Sequence, residues 1–225
     1  MNSVTKNSGR LLISCLALAS LAGCGKPSPE CQELLRELQG RAELGGVEAQ
    51  YQLGQQYERG ECASKDYPEA AKWYRLAAEQ GHATAQKSLG FMYASGVGVS
   101  QDSGQALYWF RKAAEKGQPE AQVGLGLAYF RGIGVARDLR EAAKWFQSSA
   151  AQGFARGQYN LGHMYAMGEG VPQDDVQAYQ WYKLAANQGY PKAQEGLAKL
   201  AKKMTPYQIE EANRRAREWR PRLGD

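Results

Sequence analysis

Residues 85–117 read AQKSLGFMYASGVGVSQDSGQALYWFRKAAEKG. Ala85, Leu89 and Tyr93 lie four apart, and Ala106, Trp109, Phe110, Ala113 and Ala114 follow the i, i+3, i+4, i+7, i+8 rule, so the stretch encodes two amphipathic helices, A and B. Gly96 stops the first and Gly117 the second, where a left-handed residue is cheapest. Asp102, followed three residues later by Gln105, has the pattern of a capping box opening helix B.

Outward from this stretch the pattern recurs. Ala-Gln at 49, 85, 121 and 193, with Gly-Gln at 157, repeats at a 36-residue spacing, a period characteristic of solenoids. Columns form of Leu53, Leu89, Leu125 and Leu161, of Tyr57, Tyr93, Tyr129 and Tyr165, and of Trp73, Trp109, Trp145 and Trp181. The cap aspartates are Asp66, Asp102, Asp138 and Asp174. Gly54, Gly90, Gly126 and Gly162 sit inside helix A, where glycine costs about 1 kcal/mol relative to alanine. Close approach of another helix, with the Trp and Tyr side chains around the gap, is the expected offset. The fold class expected is all-α, a right-handed solenoid of antiparallel helix pairs.

The pattern Ala-x-x-x-Leu-Gly-x-x-Tyr-x-x-Gly, a Gly-containing loop, then Ala-x-x-Trp-aromatic-x-x-Ala-Ala-x-x-Gly resembles the Sel-one-like repeat, a longer-looped relative of the tetratricopeptide repeat. Four units fill residues 47–192, a half repeat precedes them at 30–46, and residues 193–225 hold a partial repeat and a capping helix. There Ala198 and Ala201 replace the expected Gly and Tyr, and Thr205 and Pro206 have the types that begin a polar final helix. Cys62 stands where later units have Gly98, Gly134 and Gly170.

At the other end, Lys6 and Arg10 precede an apolar run from Leu11 to Ala22, shorter than the roughly 20 residues of a membrane span, so residues 1–23 read as a signal peptide. Leu21-Ala22-Gly23-Cys24 resembles the lipobox of bacterial lipoproteins. That resemblance implies acylation of Cys24, a tether over 24–29, and a periplasm-facing anchor, in the outer membrane by preference because Gly25 rather than an aspartate follows. Cys31 and Cys62 would then remain in an oxidising compartment. Cys31 begins the helix before unit one and Cys62 lies in the loop of that unit, positions a stacked array makes neighbours; a bridge and two separate buried thiols are the alternatives. The net charge of +5, less the two charges of Lys6 and Arg10, is +3 and does not call for nucleic acid. Eight basic residues against four acidic ones follow Gly196, a solvated helix or a docking patch.

No catalytic constellation, metal-ligand spacing or cofactor motif is present. His82 and His163 are not spaced as ligands, and the Gly-x-Gly loops follow helices rather than strands. What remains is a surface. Opposite the core columns of helix A stand Gln55, Phe91, Leu127 and His163, and beside them Arg59, Ser95, Arg131 and Met167. Aromatic, Met and Arg side chains on a concave face have the composition of a protein interface, though some of them could instead pack between units. The resemblance implies a non-catalytic protein-binding role, most specifically an immunity protein against a phospholipase effector of type VI secretion. A scaffold for envelope or exopolysaccharide assembly is the alternative, with β-lactam or cell-wall hydrolysis a remote third.

Overall fold

The computed structural model describes residues 28–222. The residues expected to form a signal peptide, Cys24, and the expected tether as far as residue 27 lie outside the described residues. Eleven helices follow one another among those described: α1 (Pro29–Glu43), α2 (Val47–Arg59), α3 (Tyr67–Glu79), α4 (Ala83–Ser95), α5 (Ser103–Glu115), α6 (Pro119–Arg131), α7 (Leu139–Ala151), α8 (Ala155–Met167), α9 (Asp175–Asn187), α10 (Pro191–Ala201) and α11 (Pro206–Glu218). From α1 to α10 each packs on its neighbour in sequence, α11 folds back on α9, and the A helices α4, α6, α8 and α10 touch in succession. The result is a helical-repeat solenoid.

The aspartate columns open every B helix within the repeats, but only half of the box forms. The Asp66, Asp102, Asp138 and Asp174 carboxylates accept from the amides of Glu69, Gln105, Glu141 and Gln177 at 2.9–3.0 Å. The aspartates' own amides donate to the carbonyls of Tyr57, Tyr93, Tyr129 and Tyr165 at the ends of the A helices, at 2.9–3.0 Å. The donor that a capping box would satisfy is already used to lock helix B to helix A. Released from that role, Glu69 and Glu141 bind Lys72 and Lys144 one turn on. The full box appears at α11, where the Thr205 hydroxyl accepts from the Gln208 amide and the Gln208 side chain from Thr205.

Inside helix A, a Cβ built on Gly54, Gly90, Gly126 or Gly162 would lie 2.6–2.8 Å from a ring carbon of Tyr74, Phe110, Phe146 or Tyr182. The gap is therefore filled by the aromatic residue after each Trp, rather than by the Trp and Tyr columns. Each Trp reaches back to the preceding helix pair: Trp73 joins Leu38 and Ala42 of α1, and Trp109 joins Ala70, Tyr74 and Ala78 of α3.

A buried glutamine column runs beneath these rings. Gln50, Gln86 and Gln122 donate to the carbonyls of Ala42, Ala78 and Ala114 across the turn between repeats at 2.9–3.2 Å. Gln80, Gln152 and Gln188 in turn donate to the side-chain oxygens of Gln50, Gln122 and Gln158 at 2.8–2.9 Å. In the second repeat the corresponding residue is Lys116, whose ammonium reaches the Gly81 carbonyl at 2.7 Å, and Gln86 Oε1 is buried without a partner.

The loops after α4, α6 and α8 carry Gly98, Gly134 and Gly170 at φ 70–73°. A Cβ there would lie 2.1–2.7 Å from the carbonyl oxygen of Tyr67, Ser103 or Leu139, the first residue of the B helix one repeat earlier. Cys62 is the equivalent of these glycines and Cys31 of those first residues. The two are joined by a disulfide with Cα atoms 4.9 Å apart.

Candidate protein-binding groove

Successive A helices stand side by side, and between them the outward face is indented three times. The first depression, ≈ 470 Å³, is bordered by Gln55, Arg59, Lys87, Phe91 and Ser95 of α2 and α4. The second, ≈ 270 Å³, is bordered by Phe91, Phe110, Leu127, Arg131 and Ile133. The third, ≈ 230 Å³, is bordered by Leu127, Arg131, Arg156, Asn160, His163 and Lys192 of α6, α8 and α10. Phe91 is common to the first two, and Leu127 and Arg131 to the last two, so the depressions form one run.

Seven of the eight residues singled out in the two outward columns border this run. Met167, at the end of α8 and 60% exposed, borders none of the three. Packing between units claims part of the set: Phe91 is 38% exposed and meets Phe110 edge-on at 4.9 Å, and Leu127 packs against the core around Phe146. Gln55 donates to the Tyr51 hydroxyl at 2.8 Å, and Ser95 to the Phe91 carbonyl at 2.8 Å.

The charge of the run changes along its length. In the first depression Arg59 faces Glu61 at 3.7 Å and Lys87 faces Glu120 at 3.7 Å. Tyr74 donates to Glu58 at 2.5 Å. Burial, and then the Glu58 carboxylate, push that phenol far above its ordinary range, so it remains a neutral donor. The second depression is mainly apolar. In the third, His163 lies 3.8 Å from Glu169, while Arg131, Arg156 and Lys192 have no carboxylate of a described residue within 4 Å. Asn160 Nδ2 is buried there without a hydrogen-bond partner.

Arg156, Asn160 and Lys192 were not among the residues picked out from the sequence. A signal for Arg156 and Lys192 lies in the column they share, which reads Glu48, Thr84, Glu120, Arg156 and Lys192, a reversal of sign from the fourth repeat on. Glu48 and Glu120 are engaged by His82 and Lys87, so the column is a partnered one until that reversal. His82 itself is structural: its Nδ1 accepts from the Ala85 amide at the start of α4, and its ring stacks on Tyr51.

Among the described residues no group of three or more His, Cys, Asp or Glu could hold a metal ion, and no helix is long and apolar enough to cross a membrane.

The profile of the Sel1 repeat family matches residues 47–82, 83–118, 119–154 and 155–190. Among solved structures, the chain is similar to c5321, a protective antigen of uropathogenic Escherichia coli with an SLR fold, at 45% identity and a TM-score of 0.68. That match covers 71% of this chain and only 34% of the antigen, so the chain spans about a third of that protein's length. A Sel1 repeat protein from Oxalobacter formigenes is 35% identical with a TM-score of 0.70, over 79% of this chain and 75% of that one. Immunity protein Pa5087 from Pseudomonas aeruginosa aligns at 20% identity and a TM-score of 0.48, over 87% and 81% of the two chains. No curated protein matches the chain.

Proposed function

The chain belongs to the Sel1 repeat family, and from that premise we propose that it is a non-catalytic, lipid-anchored lipoprotein of the periplasm that binds a protein along its concave A-helix face. Sel1 repeat proteins mediate protein–protein interaction. The observation that carries the reading is the continuous run of three depressions, which is open, part apolar and part charged, and suited to successive side chains of a protein surface. The most specific form of the proposal is an immunity protein that neutralises a secreted phospholipase-type effector by covering its catalytic or membrane-docking surface. The leader ending in Leu21-Ala22-Gly23-Cys24 supports a membrane-held inhibitor, because a lipase acts at the bilayer and acyl chains would keep the inhibitor there.

The test is to tag the full chain at its C-terminus, extract it from membranes, and identify what it retains from the culture supernatant of the producing bacterium. Retention of a secreted phospholipase whose activity on vesicles falls on adding the chain is the expected result. Retention of envelope-assembly proteins alone, or an unaffected lipase, overturns the immunity role. Failure to retain any protein overturns the binding role. In the same preparation, Cys24→Ser should abolish incorporation of labelled palmitate, and label that persists removes the anchor from the proposal.

A further inference from the structure

The three depressions differ in chemistry, and the difference identifies what the partner presents. At the first, each cation on the rim already has a carboxylate: Glu61 for Arg59 and Glu120 for Lys87. At the third, the guanidinium groups of Arg131 and Arg156 and the ammonium of Lys192 line one depression, and among the described residues no carboxylate lies within 4 Å of any of them. Among the described acidic groups nearby, Glu169 sits 3.8 Å from His163 and 3.9 Å from Arg137, and Glu195, on α10 with Lys192, makes its charge felt at Tyr159 but forms no ion pair with any of the three cations. Three like charges around one hollow repel one another and gain from any anion placed between them. Asn160 adds an amide donor, buried and unpartnered in the same hollow, and a buried donor is normally satisfied.

Leu127 and Arg131 lead directly from this hollow into the second depression, lined by Phe91, Phe110 and Ile133. A ligand spanning both needs an anionic group at one end and an apolar group beside it. The apolar depression, ≈ 270 Å³ in volume, suits a side chain or two rather than a pair of acyl chains.

The geometry points to this end of the groove as the receptor for a carboxylate-bearing segment of the protein partner, seated with an Asp, Glu or C-terminal carboxylate among Arg131, Arg156, Lys192 and Asn160 and a neighbouring apolar side chain in the Phe91–Leu127 depression. The inference rests on the protein-binding reading above and specifies the chemistry of the partner. Arginine suits the role because its planar donors pair a carboxylate in bidentate fashion. The charges lie on three helices of three repeats, so the recognition depends on the stacking that brings α6, α8 and α10 side by side.

The test uses the full chain in detergent and a phage-displayed library of random twelve-residue peptides. The variants are Arg156→Glu with Lys192→Glu, both exposed positions, and a matched reversal away from the groove, Arg36→Glu with Lys202→Glu. Circular dichroism melting checks that each is folded, and Arg156→Gln with Lys192→Gln serves if the reversal is not. The wild type should enrich peptides with Asp or Glu beside an apolar residue. The groove variant should bind the best of them at least about tenfold more weakly, as expected when one partner of a desolvated charge pair is lost, and the control within about twofold.

Enrichment of neutral or basic peptides overturns the inference, and so does acidic binding unchanged in the groove variant. Capture of short-chain phosphatidylglycerol in place of any peptide overturns it in favour of a lipid contact. If no peptide is enriched while the tagged chain still retains a secreted protein, the carboxylate receptor fails and the protein-binding role stands. If the tagged chain retains nothing, the failure lies in the binding role itself.

Discussion

Replacing Gly126 by alanine tests whether the helix-interior glycines exist for the aromatic ring that faces them. Two effects of opposite sign compete. Alanine removes a helix-propensity cost of about 1 kcal/mol. Its Cβ, however, would stand 2.6 Å from Phe146 Cε1 and 2.7 Å from Cδ1, against an ordinary carbon contact of about 3.5–4.0 Å, so the ring must retreat by roughly 1 Å. Phe146 is 2% exposed and enclosed by its core cluster, which leaves it nowhere to go. Overpacking of this kind costs about 1–3 kcal/mol. Taking the middle of that range, the net effect is a loss of about 1 kcal/mol, or a melting temperature lower by roughly 2–4 °C for a chain of this size. Gly40 in α1 is the internal control, since a Cβ there meets nothing within 4 Å. Gly40→Ala should gain up to about 1 kcal/mol and shift the melting point the other way. The decisive assay is a double-mutant cycle by thermal unfolding. In a Phe146→Leu background the obstacle is gone, and Gly126→Ala should become stabilising. A Gly126→Ala protein that melts at or above the wild type, or a penalty that persists without the ring, would refute the reasoning.

Lys116→Gln should supply the missing partner of Gln86 while keeping the Gly81 contact, because Gln188 bonds both Gln158 and the Gly153 carbonyl in the equivalent place. A gain of about 1 kcal/mol in chemical denaturation is expected, and a loss would mean that the buried oxygen is not the defect. Cys31→Ser with Cys62→Ser removes a crosslink between residues 31 apart. The chain-entropy estimate is about 3–4 kcal/mol, felt chiefly at α1. Trypsin should then cut first at Arg36 or Arg41, and first cleavage elsewhere would contradict that localisation. Hydrogen bonds from Arg214 and Arg215 hold the Glu211 carboxyl down to about 2. The stabilisation from this depressed group is therefore present above the ordinary value of 4.5 and is lost as the pH falls through about 2. Helicity curves of the wild type and Glu211→Gln should accordingly converge on acidification across that window, and a constant gap would count against the ion-pair network.

The repeat was legible because its columns are set by sterics that act identically in every unit: a leucine that must be buried, an aspartate that must cap, a glycine that must make room. Single columns misled where two solutions share one residue pattern. Asp followed by Glu or Gln three residues on has the signature of a full capping box, but the aspartate amide has a tertiary acceptor, the Tyr carbonyl of helix A, which no local pattern reveals. Likewise the glycine column announced a close approach without saying which ring makes it. The groove was legible in part. Positions such as Phe91 and Arg131 stand out by their departures within a column, while Lys192 enters from the following repeat and becomes a neighbour of Arg131 only through stacking. The significance of Arg156 depends on what does not face it, and the absence of a carboxylate is a property of three dimensions.

The disulfide occupies the contact at which each later repeat presses a glycine loop on the helix start one repeat back. Those later contacts are van der Waals ones and part when the stack is pulled, whereas this one is covalent. Tension on the chain from the side of residue 28 passes from Cys31 straight into the loop behind α2, and α1 is shielded from it. The array then has one end that cannot peel and one that can, so unravelling under load should travel from α11 towards α2, reaching the basic hollow of the groove before the apolar one. A partner held by both would lose its charged grip first.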